Sequence, residues 1–95
     1  MIEIAEPIVG QREQERVRAV LEDGMLADGR EVREFESEFA THCDVAHGVA
    51  TSNGTTALHT ALHALGIGAG DRVLTTPFSF VASANAIRFC GAEPT

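Results

Sequence analysis

The residues best suited to chemistry in this sequence are Thr51-Ser52-Asn53-Gly54-Thr55-Thr56-Ala57-Leu58. They lie where a short apolar run, Val45–Thr51, gives way to the alanine- and leucine-rich, helically periodic Thr55–Leu65. Where a strand turns into a helix, the unsatisfied N–H groups of the first helical turn and the helix dipole attract an anion. Gly54 lets a phosphate approach the backbone closely, and Thr55 and Thr56 add hydroxyl donors. The plainer use of the same residue types is capping, by Ser52, Asn53 or Thr55. The segment is not a nucleotide fingerprint, because neither G-x-G-x-x-G nor G-x-x-x-x-G-K-[ST] occurs.

A second turn of this kind is Pro77-Phe78-Ser79-Phe80, leading into Val81-Ala82-Ser83-Ala84-Asn85-Ala86-Ile87. Phe80 can stack on a flat ligand, or Phe78 and Phe80 can both be core. Asn85 can face a ligand or satisfy a backbone group. All seven basic residues are arginine, at positions 12, 16, 18, 30, 33, 72 and 88. With no lysine, no side chain here forms a Schiff base or completes a Walker-type phosphate loop, so the catalytic set within these 95 residues is empty.

Other chemistry is poorly supported. His42-Cys43-x-x-x-His47 fits no zinc spacing, and His59 with His63 lacks the glutamate of H-E-x-x-H, so no metal is expected. Cys43 has no base pattern that would make it a nucleophile, and both cysteines are expected to be reduced and partly buried.

The elements that must position these residues are constrained by composition. Ninety-five residues make at most one small domain, and 44 % apolar with 22 % charged residues is a globular balance. With no tryptophan or tyrosine and five phenylalanines, the interior must be mainly aliphatic. The net charge of −7 sits in residues 1–44, which hold twelve acids against five arginines, while residues 45–95 are neutral. An acidic chain disfavours duplex nucleic acid and anionic membranes as partners. Acid excess with arginine in place of lysine suits a salt-adapted proteome or a drift of codons. The first ten residues lack the basic start and long apolar run of a signal peptide, and no stretch approaches membrane-spanning length, so a cytoplasmic setting is expected.

Residues 1–9 read as an extended arm. Val17, Val20 and Leu21 predict an amphipathic helix over 10–22, stopped at Asp23-Gly24. Val32, Phe35 and Phe39 predict a second helix over 31–42, its two phenylalanines buried beneath a solvated acidic face. From Asp44 the pattern becomes strand (45–51), helix (55–65), strand (72–76), helix (81–89) and the start of a strand (92–95). Alternating βα units imply a parallel sheet with right-handed crossovers, here incomplete. The expected division is therefore 1–44, an arm and two helices, and 45–95, the start of a larger α/β domain.

Taken together, SNGTTALHTALHALGIGAGDRVLTTPFSFVASANAI resembles the cofactor-binding region of the DegT/DnrJ/StrS sugar aminotransferases, which are fold-type-I pyridoxal-phosphate enzymes. The front end is similar too, with Pro7, Ile8, Gly10, Gly24-x-Leu26, Gly29 and Val32-x-x-Phe35-Glu36-x-Glu38-Phe39-Ala40. The resemblance implies that Gly54, Thr55 and Thr56 hold the phosphate of pyridoxal 5′-phosphate and that Phe80 stacks on its ring, with Asn85 at a common polar position. Ser79 stands where threonine is usual, and Thr56 where a smaller residue is common. It further implies a nucleotide-linked keto-sugar as substrate, an amino donor such as glutamate, a homodimer, and an aspartate and a lysine supplied from beyond this stretch. This piece is then inactive and poorly stable by itself. The alternatives are a small phosphate-binding or interaction module without catalysis, and a regulatory or dehydratase relative lacking the lysine.

Overall fold

A computed structural model describes residues 2–95. The chain forms two units, Met1–Gly48 and Val49–Thr95.

In the first unit, helix α1 spans Gln11–Asp23 and α2 spans Arg30–His42. Helix α1 starts on Gly10, whose N–H donates to Glu13 Oε2 at 2.7 Å. That bond satisfies a donor the helix cannot, and it holds the Glu13 carboxyl below the usual carboxylate range. Gly24 ends the helix with φ of 77°, a left-handed step that strains any residue with a Cβ. Arg16 reaches from α1 to Glu31 of α2 at 2.6 Å, and this contact raises the guanidinium pKa. Both partners are partly solvated, so the pair fixes geometry more than it stabilises. At the end of α2, Asp44 takes a left-handed φ of 53° and the Val45 N–H bonds back to Ala40 O at 3.0 Å.

In the second unit, α3 (Gly54–Ala64) is followed by strand β1 (Arg72–Val73), helix α4 (Ala82–Phe89) and strand β2 (Glu93–Pro94). The strands are parallel, with Arg72 opposite Glu93 and Val73 opposite Pro94. Further bonds lengthen the ladder: Glu93 N–H to Asp71 O, Thr95 N–H to Val73 O and Thr75 N–H to Thr95 O, each 2.9 Å. Because Glu93 and Thr95 aim their N–H groups at β1, the intervening Pro94 turns its missing donor to the other edge and costs no bond here. Helix α4 packs against α3 and β2. Its Ala82, Ala86 and Ile87 are buried, together with Ala92 just before β2. Alanines at i and i+4 put a small-residue stripe on that face of α4 and let backbones come close.

The four helices lie within one residue of the bounds expected from periodicity and punctuation. The expected strand over 45–51 does not form among the described residues. A parallel strand exists only through a neighbour's ladder, and the sheet holds β1 and β2 alone. Phe35 and Phe39 are not buried: they are 55 % and 53 % exposed, their rings tilted against each other at 5.5 Å between centroids. Cys43 is exposed rather than partly buried, while Cys90 is half-buried with its Sγ 3.9 Å from His59 O, and both thiols are free. Each of these differences has one physical reason: the apolar pattern implies a partner surface that these residues do not themselves supply.

Candidate functional site

The site is built around the start of α3. Asn53 is the N-cap, in extended conformation, and its Oδ1 accepts the Thr56 N–H at 2.9 Å. In return the Asn53 N–H donates to Thr56 Oγ1 at 3.2 Å, which closes a capping box. The Thr56 hydroxyl donates to Asn53 O at 2.8 Å and lies 3.3 Å from Ser52 Oγ. The Thr51 hydroxyl also donates to Asn53 O, at 3.0 Å. The turn is thus held rigid by its own side chains before any ligand arrives.

This network divides the three residues singled out in the sequence. Both the amide and the hydroxyl of Thr56 are engaged by Asn53. The amides of Gly54 and Thr55, and the Thr55 hydroxyl, carry no hydrogen bond among the described residues. A Cβ placed on Gly54 would meet nothing within 4 Å, so the space beside that residue is open. No charged side chain occurs between Thr51 and Leu58. What this segment itself offers an anion is aligned amide dipoles and a hydroxyl.

The second turn lies at the carboxyl end of β1. Helix α4 joins two parallel strands, so it must run back against them with its N-terminus at that end. Helix α3 packs against α4 and leads to β1 through the loop 65–71. Open α/β sheets bind ligands at the carboxyl ends of their strands. Phe80 is 77 % exposed and Phe78 is 97 % exposed, so neither is core within this unit. Asn85 sits half-buried in the middle of α4.

Two contacts brace the aromatic turn and were not anticipated from sequence. Thr76 Oγ1 accepts the Phe78 N–H at 3.1 Å, and the hydroxyls of Ser79 and Ser83 lie 3.0 Å apart. The Ser-x-x-x-Ser spacing across a helix start was the available signal, since residues four apart share a helical face. Further along α3, the His59 ring lies against Phe89 at 5.7 Å, which gives that histidine a packing role. Among the described residues, no three His, Cys, Asp or Glu side chains come together as a metal cluster would require.

Comparisons with known proteins agree on one relationship. The model of the DegT/DnrJ/EryC1/StrS aminotransferase family matches residues 7–95. The chain is 43 % identical over 94 residues to the GDP-perosamine synthase of Caulobacter vibrioides, covering 98 % of this chain and 25 % of that protein. It superposes on the crystal structure of an aminotransferase from Psychrobacter cryohalolentis with a TM-score of 0.87 and 43 % identity, over 94 % of this chain and 23 % of that one. It matches Spr1654 of Streptococcus pneumoniae, solved in a PLP form, with a TM-score of 0.92 and 26 % identity, over 99 % of this chain and 24 % of that one. The chain thus spans about a quarter of the length of the relatives it matches. A match that runs through both units, the capped turn at Gly54 and the aromatic turn at Phe80 settles the relationship: this chain belongs to the DegT/DnrJ/EryC1/StrS aminotransferase family.

Proposed function

We propose that these residues form the part of a pyridoxal-phosphate-dependent aminotransferase that holds the cofactor's phosphate and ring. The carrying observation is the pair of amides at Gly54 and Thr55 that carry no hydrogen bond among the described residues, at the start of a capped helix with open space beside Gly54. Gly54 and Thr55 donate their N–H groups to the phosphate, and the Thr55 hydroxyl adds a third donor. Thr56 acts by holding Asn53, and so the turn, in shape. Phe80 covers one face of the pyridine ring from the neighbouring turn, with Ser79 and Ser83 fixing its approach. Asn85, half-buried in the middle of α4, is the further polar residue assigned to the ligand.

When bound, the cofactor supplies an electron sink for moving an amino group from donor to acceptor. The residues described here bind and orient it. The amine that engages its aldehyde comes from outside these 95 residues, since no lysine is present. The names of the relatives, among them a UDP-N-acetyl-3-dehydro-α-D-glucosamine 3-aminotransferase, favour a nucleotide-linked keto-sugar as acceptor. Glutamate as donor, a homodimer and a cytoplasmic setting complete the reading. No helix among the described residues is long and apolar enough to cross a membrane.

The test is a chimera in which residues 1–95 replace the matching quarter of the Caulobacter vibrioides synthase. Pyridoxamine 5′-phosphate and pyridoxamine are titrated against it by fluorescence. The phosphate-bearing form should bind far more tightly, and Thr55→Ala and Phe80→Leu should each weaken it. Equal binding of the two forms, or no effect of either substitution, refutes the assignment.

A further inference from the structure

No further inference is drawn: the strongest candidate, the shallow apolar hollow on α1 between Val9, Val17 and Leu21, is an unpartnered helix face, and nothing in the structure shows what covers it.

Discussion

Replacing Gly54 by alanine separates folding from binding. The residue lies outside the left-handed region, and its added methyl meets nothing within 4 Å. Alanine at such a position narrows the unfolded ensemble, which stabilises the folded chain by about 0.4–1 kcal/mol. Read as hydrogen exchange of the α3 amides in the chimera, that is a slowing of roughly two- to fivefold. On the proposed assignment, the same methyl occupies the space where the phosphate approaches. Losing one charge-assisted bond there costs about 1.5–3 kcal/mol, which raises the dissociation constant of pyridoxamine 5′-phosphate by about ten- to a hundredfold. The expected pattern is therefore slower exchange with weaker binding. Slower exchange with unchanged affinity would place the phosphate elsewhere. Faster exchange would show that Gly54 has a structural constraint the geometry does not contain.

The remaining expectations concern the supports of the site. Asn53→Ala removes the α3 cap and should cost about 1 kcal/mol, speeding exchange of the Thr56 amide at least roughly fivefold; unchanged exchange would mean the capping box is not stabilising. Ile87→Ala, at a side chain 3 % exposed, should cost about 2 kcal/mol or more and speed α4 exchange some thirtyfold, whereas a surface position would show almost none. Glu13 has a folded-state pKa below its unfolded value, so its bond to Gly10 stabilises α1 at pH above the unfolded value and is lost as pH falls through the folded one. An NMR titration of the Glu13 carboxyl should give a midpoint below the ordinary glutamate value, and a midpoint at or above it would contradict the contact.

Much of this arrangement was readable from residue order. Asp23-Gly24, Gly66 and Gly91 punctuate helices whose apolar spacing is regular, and such punctuation is local chemistry that needs no partner. The turn at 51–58 was readable for the same reason, since capping residues and a glycine before a helix act on their own neighbours. What was not readable depends on surfaces outside the pattern. Val45–Thr51 has the composition of a buried strand but joins no sheet ladder among the described residues, and Phe35 and Phe39 have the spacing of a core face yet stay half exposed, one ring tilted against the other. The division of labour within the site was also hidden. Thr55 and Thr56 are identical as residue types, and only the geometry of Asn53 assigns one to the cap and leaves the other open.

The most direct measurement is amino transfer by the chimeric synthase as a function of pyridoxal phosphate concentration. A chimera carrying residues 1–95 should be active, and its Gly54→Ala variant should need roughly ten- to a hundredfold more cofactor for half-maximal rate, with activity recovered once cofactor saturates. A chimera that folds cooperatively yet fails to retain the cofactor, or a variant whose cofactor requirement does not change, would contradict the assignment of this turn as the phosphate site.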